Sequence, residues 1–296
     1  MKQHKFLKIT ISLILLVALI TAASIFLSYN VLKVRTFSYE TDKAVDPVRA
    51  VVISDLHEHE FGKDNVKLVE KIREQEPDII LMVGDFVNQD STESTVVVKL
   101  VEQLVEQLSK LAPVCYSLGN HEESYMAKTD WNFPKEIEKA GAHFLDKEYV
   151  DVDIRGTKLR IGGMFSYAFG ADGKDSAAAA PEDVKNFLMD FQDTDRLKIM
   201  MAHRPDSFIF GDAASVWDVD LVVSGHDHGG QVVVPFAGGV FGGDQGYFPK
   251  YVHGMYEKER LHLFVSSGLG SANEPLPRVN NLPEVAVVEI EKSTQT

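Results

Sequence analysis

The stretch that decides the fold runs Asp218-Val219-Asp220-Leu221-Val222-Val223-Ser224-Gly225-His226-Asp227-His228-Gly229-Gly230-Gln231. Val219–Val223 is a short, largely apolar run bounded by turn residues, the pattern of a buried strand. His226 and His228 follow it at a spacing of two. An extended segment repeats every second residue, so both imidazoles point the same way unless the backbone turns between them. Gly225, Gly229 and Gly230 let the backbone approach whatever the imidazoles hold, or turn through positive φ. Histidine is the commonest metal ligand among side chains, and a glycine-flanked pair past a strand suggests a metal. A surface loop or a satisfied core pair explains two histidines about as well, so the rest of the chain has to supply the missing ligands.

Upstream, the same grammar repeats. Ala50–Ile53 ends at Ser54-Asp55-Leu56-His57, Asp78–Val83 ends at Gly84-Asp85, Pro113–Ser117 leads to Gly119-Asn120-His121-Glu122, and Leu197–Ala202 ends at His203-Arg204-Pro205. Between them lie helices. Asp64 or Asn65 caps one whose apolar face is Leu68, Val69 and Ile72. Val97, Leu100, Val101, Leu104, Val105, Leu108 and Leu111 hold the i, i+3, i+4, i+7 pattern of a core-facing stripe. In α/β folds ligands gather beyond the carboxyl ends of strands. Asp55, His57, Asp85, Asn120, His203, His226 and His228, with His121 beside Asn120, are therefore expected at one edge of the sheet. Each has a dull explanation alone: Asp55 as a helix cap, Asn120 in a left-handed turn, His203 as a satisfied core histidine. Joint placement at five strand ends is hard to obtain by chance. Oxygen and nitrogen donors without thiolate suit Mn, Fe or Zn rather than a structural zinc knot.

The second half reads as more β-rich. Tyr149–Arg155 and Lys158–Gly163 form a hairpin around Gly156-Thr157, and Pro181–Phe191 is a helix with proline in its first turn. Val232–Val234, Leu261–Val265 and Val285–Ile290 are late strands, with a Gly- and aromatic-rich loop from Phe236 to Tyr256. Phe169–Ala180 has no strand pattern and reads as a mobile loop or lid. At the other end, Val31–Tyr39 reads as a first strand.

With 296 residues, 45% hydrophobic and 25% charged, the chain suits one large globular domain plus an accessory segment. That segment is the N-terminus. The first 35 residues carry Lys2, Lys5, Lys8, Lys33 and Arg35 and no acid, and Ile9–Leu32 is uncharged, long enough for a bilayer-spanning helix. A cleaved secretory signal with Ala22-Ala23-Ser24 as its small-residue site is the competing reading, giving a secreted protein. The apolar stretch runs on past that site through Ile25, Phe26, Leu27 and Tyr29, which favours an uncleaved anchor. Lys2, Lys5 and Lys8 keep the tail in the cytoplasm and put the body outside, an asymmetry weakened by Lys33, Arg35, Lys43 and Arg49. The expected division is a tail and single-pass anchor over 1–35 and one domain over 36–296. Beyond residue 35, 25 basic residues face 44 acidic ones, a net −19 that repels nucleic acid and anionic lipid unless a local site reverses the field. The single cysteine, Cys115, forms no intrachain disulfide and sits in an apolar run as a packing residue.

Taken together, Asp55-Leu56-His57, Gly84-Asp85, Gly119-Asn120-His121-Glu122, His203 and Gly225-His226-Asp227-His228 resemble the blocks of a calcineurin-like metallophosphoesterase. All five stand in order across residues 50–231. The Gly-Gly-Gln after the last block and the proline-rich, aromatic tail resemble the bacterial membrane-associated branch, which includes relatives of UDP-diacylglucosamine hydrolases. Asp227 departs from the pattern, where a small or hydroxylated residue is usual, and adds a negative charge beside the site.

The resemblance implies a four-layer α/β/β/α sandwich and two divalent cations. One would take Asp55, His57, Asp85 and His228; the other Asp85, Asn120, His203 and His226, with Asp85 shared. It also implies a bridging hydroxide as nucleophile toward phosphorus and His121 as general acid for the leaving alkoxide. Arg204 reads equally as a phosphate contact or as a salt bridge supporting its loop, while His59 and His253 are not placed among the ligands. The substrate is a phosphoester, with lipid- or envelope-linked esters favoured by the anchor and the aromatic loop. A catalytically inactive metal-binding membrane scaffold is the alternative. Neither a G-x-S-x-G elbow nor a G-x-x-x-x-G-K-[ST] loop occurs, which disfavours serine-hydrolase and nucleotide-driven chemistry.

Overall fold

One long helix, α1 (Lys2–Asn30), opens the chain, and only Val31 and Leu32 separate it from the first strand, β1 (Lys33–Thr41). The computed structural model describes residues 2–91, 94–130, 132–164, 176–271 and 276–294. Along α1 the apolar side chains of Leu13–Val17 are exposed. At ~1.5 Å per residue the stretch His4–Asn30 reaches ~40 Å, enough to cross a ~30 Å hydrocarbon core. Its final turns are docked on the body. Ser24 Oγ accepts from the Asn280 N–H at 2.7 Å, and the buried Ser28 Oγ accepts from the Asn281 N–H at 3.1 Å. Lys33 and Arg35, grouped with the tail in the sequence reading, are strand residues.

Strand and helix then alternate as β2 (Val48–Ile53), α2 (Val66–Arg73), β3 (Ile79–Val83), α3 (Ser94–Leu108) and β4 (Val114–Ser117). Two short helices, α4 (Asn120–Met126) and α5 (Phe133–Ala140), lead to β5 (Ala142–Phe144). The second half runs β6 (Glu148–Ile154), β7 (Thr157–Met164), α6 (Glu182–Gln192), β8 (Leu197–Ala202), α7 (Asp206–Ile209), α8 (Ala213–Val216) and β9 (Leu221–Ser224). A small hairpin of β10 (Val233–Val234) and β11 (Gly238–Gly239) precedes β12 (Gly254–Lys258), β13 (Leu261–Val265) and β14 (Glu284–Lys292).

Two six-stranded sheets result, in the orders β1-β14-β2-β3-β4-β5 and β12-β13-β9-β8-β7-β6. Strands β2 to β5 run parallel in one, and β13, β9, β8 and β7 run parallel in the other. The last strand, β14, inserts antiparallel to β2 and carries β1 on its outer edge. Alternation along each strand divides the core into three slabs. On β2, Val48, Ala50 and Val52 face β8 and β9 residues such as Ile199, Met201 and Val223 between the sheets, while Val51 and Ile53 face α2 and α3. Met200 and Val222 turn the other way, onto Val184, Leu188 and Phe208 of α6 and α7. Strands covered on both faces read as continuous apolar runs, which is how these appear in the sequence. The result is the four-layer α/β/β/α sandwich.

Several local expectations are corrected. The hairpin turn is Arg155-Gly156, both at positive φ (50° and 85°), one residue earlier than Gly156-Thr157. Thr157 enters β7 instead, and its Oγ accepts from the N–H groups of Val45 and Asp46. Asn65 precedes α2 without capping it, because its Oδ1 is taken by the Phe61 N–H at 3.0 Å. The three-residue β5 and the strand β12 escaped notice, the former because it is too short to show a period. Most of the loop read as a lid, residues 169–175, lies outside the described residues. Its end, Ala177–Ala179, is a fixed turn, with Ala177 and Ala180 buried in the third slab.

Candidate metal centre

The candidate residues do not line one sheet's edge. They come from the carboxyl ends of β2, β3 and β4 in one sheet and of β8 and β9 in the other, which face each other across the central slab. The loops are laced together before any side chain is considered. The Asp55 and His57 N–H groups donate to Gly84 O and Asp85 O, each at 3.0 Å, and the Gly225 N–H donates to His203 O at 3.0 Å. Five candidate residues, Asp55, His57, Asp85, His226 and His228, sit at positive φ (53°, 49°, 58°, 72° and 45°). Residues other than glycine in such wells cost ~1–3 kcal/mol each, and such strain concentrates at functional sites. At Gly119, a Cβ would stand 2.1 Å from Asp85 Oδ1, so only glycine lets that carboxylate lie where it does.

All eight sequence-predicted residues meet here. Three groups bring their donor atoms within 4.8 Å of one another: Asp55, His57 and His228; His57, Asp85 and His121; and Asp85, His203 and His226. Asp85 Oδ2 lies 2.9 Å from His203 Nε2 and 4.0 Å from the Nε2 atoms of both His57 and His121. Asp55 Oδ1 lies 3.8 Å from the Nε2 atoms of His203 and His228. Asn120 joins Asp85, His121, His226 and His228 in lining a cleft of about 50 Å³. A larger hollow of about 410 Å³ lies at the opposite end of the strands, around Arg49, Asp78 and Arg155, remote from these groups.

The partners behind each ring fix which nitrogen faces the cleft. His57 Nδ1 meets Asn88 Oδ1 at 3.1 Å, His203 Nδ1 meets Val83 O at 2.7 Å, and His228 Nδ1 meets Gly270 O at 3.3 Å. An oxygen behind Nδ1 holds the proton there and leaves the Nε2 lone pair for a cation. His121 is wired the other way: its Nδ1 accepts from the Gln89 N–H at 3.1 Å, so in the neutral ring the proton sits on Nε2. Asp55 Oδ2, His57 Nε2, Asn120 Oδ1 and His203 Nε2 are buried with no hydrogen-bond partner. His203 Nε2 stands 2.9 Å from Asp85 Oδ2 as an ion pair. Native proteins rarely leave buried polar atoms so; Asp55, His57 and His203 belong to the groups of closely spaced donors and Asn120 lines the cleft, a set that fits divalent cations.

The electrostatics agree. Burial holds His57 down to about 3 and His226 to about 4, and pushes His228 well below its usual range, so these rings are neutral donors. Burial also lifts Asp55 to about 6. At Asp85 burial is outweighed by His203, His57 and His121, which keep its carboxyl well below the usual range. Burial opposes charge on His203 too, yet Asp85 and Asp55 outweigh it and raise that ring to about 10. Positive charge is thus favoured at His203, beside the two carboxylates, and disfavoured on the other three rings.

Three supporting residues were missed. Glu122, the last letter of its block, takes N–H donors from Asp85, Phe86 and Gly119 and the Tyr116 hydroxyl, at 2.7–2.9 Å, tying the β3 and β4 loops together. The fully buried Arg278 donates to the carbonyls of Ser267, Gly268 and Gly270. Gly270 in turn holds His228 Nδ1 and donates its N–H to Asp55 O. Asn281 Nδ2 donates to His228 O at 2.6 Å. The sequence signal is the polar Arg278–Asn281 cluster inside a proline-rich tail.

The remaining expectations resolve individually. Arg204 pairs with Asp244 at 2.7 Å, the loop-supporting reading, and Asp244 also lies 3.3 Å from His226 Nε2. His253 meets Glu284 at 2.8 Å, away from the site. His59 is half-buried between Tyr29 and Phe61. Asp227 is buried, which raises its pKa well above the usual value, and Gln245 donates to its Oδ2 at 2.8 Å. Cys115 is buried packing, its thiol pushed up to about 12.

Against known proteins, the calcineurin-like phosphoesterase family description matches residues 48–230. An uncharacterized metallophosphoesterase of Campylobacter jejuni is 28% identical over 263 residues, covering 88% of this chain and 64% of that protein, so the chain spans less than two thirds of that relative. The metallophosphoesterase YkuE of Bacillus subtilis is 28% identical over 84% of this chain and 80% of its own. The phosphodiesterase YaeI of Escherichia coli is 25% identical over 82% of each. A solved dimetal phosphatase of Danio rerio aligns with 75% of this chain and 88% of its own at a TM-score of 0.44 and 10% identity. With the family description spanning all five motif blocks, this chain belongs to the calcineurin-like phosphoesterase family.

Proposed function

We propose that the protein is a dinuclear metal-dependent hydrolase of phosphoesters, held at a membrane by α1 with its body, residues 36–296, on the outer face. The observation that carries the reading is the grouping of donor atoms from Asp55, His57, Asp85, His203, His226 and His228 within 4.8 Å of one another, with Asp85 common to two of the groups. Asp55, His57, Asp85 and His228 would hold one cation, and Asp85, Asn120, His203 and His226 the other. When bound, two such ions polarise the phosphoryl oxygens and activate water for in-line displacement. The chain's own residues supply the rest. Asp85 turns its Oδ2 toward the imidazoles, while its Oδ1 accepts from the His121 N–H at 2.9 Å. Glu122 accepts from the Asp85 main-chain N–H, and Gly119 leaves room for the carboxylate. His121, with its proton on Nε2 at the cleft wall, is placed to protonate a departing alkoxide.

The oxygen and nitrogen donor set, without thiolate, supports Mn, Fe or Zn. The His121 wiring favours an enzyme over an inactive scaffold, because a pure ligand shell has no use for a proton donor beside it. An exposed apolar helix ending against the site supports membrane attachment and, with it, a lipid- or envelope-linked phosphoester. The test is hydrolysis of an aryl phosphodiester by metal-reconstituted protein, with a panel of soluble and lipid-linked esters and each metal in turn. Asp85→Asn should abolish turnover and cut bound metal from two ions per chain; full activity in that variant would reject the assignment.

A further inference from the structure

The loop that closes the cleft carries an apolar surface with no cover from the body. Residues 232–250 include one acid, Asp244, already paired with Arg204, and one base, Lys250, in a body of strong negative charge. At the tip of the β10–β11 hairpin, the Val234 carbonyl accepts the Ala237 N–H at 3.1 Å, closing a turn with Pro235 and Phe236 at its centre. Phe236 occupies the left-handed position, φ 68°, where glycine is the usual residue, and its ring is fully exposed. Val234 is exposed two residues before it, and Tyr247 and Phe248 are exposed further along the same loop. An aromatic ring held in a disfavoured backbone state and wholly in water costs stability that nothing in the body returns.

The position of this hairpin relative to α1 identifies what covers it. Val233 pairs through its N–H with Val279 O, and Asn280 Nδ2 donates to Val233 O at 3.0 Å. The same Asn280 gives its N–H to Ser24 Oγ. Ser24 lies six residues before the end of α1, about 9 Å along the axis from Asn30. A loop bonded at that level of a spanning helix stands within the outer ~5–10 Å of the bilayer, the depth of headgroups and first methylenes. We propose that the Val233–Gly239 hairpin, with Phe236 as its leading side chain and the Tyr247-Phe248 turn beside it, inserts into the bilayer surface next to α1. Phe241 and Gly243 of the same loop wall the metal cleft, so insertion brings the cleft to the headgroup layer, where the phosphoester of a membrane lipid lies. The proposal rests on reading α1 as a membrane span.

The test uses the full chain in phosphatidylcholine vesicles, chosen because the acidic body gives no electrostatic attraction to them. The native Cys115 is fully buried, so an introduced thiol can be labelled alone. An environment-sensitive fluorophore is attached in turn at Phe236→Cys, at Leu16→Cys in the middle of α1, and at Asp46→Cys at the opposite end of the strands. Quenching is then read with aqueous iodide and with lipid-borne doxyl groups. The expected result is a label at 236 that lipid quenches and iodide reaches severalfold less than at 46. Iodide access at 236 equal to that at 46, with 16 in lipid, overturns the insertion while leaving the anchor intact. Iodide access at 16 overturns both.

Discussion

One backbone N–H separates His121 from the other imidazoles. Gln89 donates to its Nδ1, whereas oxygens stand behind Nδ1 of His57, His203 and His228, so the four rings present opposite faces of the same chemistry to the cleft. We predict that His121→Gln lowers kcat about 10²-fold or more on alkyl esters, whose leaving groups need a proton, and far less on nitrophenyl esters. Bound metal, read by elemental analysis, should be unchanged. Equal losses across leaving groups, or lost metal, would make His121 a ligand or a packing residue. The eight candidate residues were legible because each directly follows an apolar run. That Asp227 is buried was not legible, since its letter gives a charge and no depth. The bond that sets the His121 tautomer was hidden as well, since Gln89 is 32 residues away and acts through its main chain.

At the scale of elements, the edge where β1 and β14 meet the second sheet is held by a buried carboxylate. Glu284 takes Arg35 Nη1 at 2.6 Å and His253 Nε2 at 2.8 Å. Burial works against its charge, but His253 and Arg35 outweigh it and hold its pKa below the usual value of 4.5. A carboxyl lowered on folding contributes stability that is present above its unfolded pKa and is lost as pH falls through the folded one. We predict that Glu284→Gln lowers the melting temperature most near neutral pH. The gap from the parent should close on acidification below about 4.5. A gap that is constant with pH would mean that shape rather than charge matters there. Strands such as β8 and β13 were readable to the residue because both faces are buried and the run stands out. β5 and β12 were not, being set by their neighbours' hydrogen bonds more than by their own pattern, and the Arg155-Gly156 turn was missed by one residue because arginine rarely takes a left-handed position.

For the whole molecule, the informative surprise is that the candidate ligands come from two sheets. A sequence orders strands along the chain and cannot say which sheet each joins, so residues past five strands read as one edge. Here Asp55, His57, Asp85 and Asn120 belong to one sheet's loops and His203, His226 and His228 to the other's. Cations bound there tie the sheets together at one end, in the folded state only. We predict that chelation lowers the melting temperature by roughly 5–10 °C, the effect of ~2–3 kcal/mol of lost binding on a domain of this size. A melting curve indifferent to chelator would count against bound ions. One further consequence follows from the two residues, Val31 and Leu32, between α1 and β1. With the helix in a bilayer, so short a connection leaves the body no leash with which to sample the surrounding water. For a lipid-linked substrate, encounters would then happen by lateral diffusion in two dimensions, and the rate should follow its mole fraction in the leaflet, falling on dilution with inert lipid but not on dilution of the vesicles.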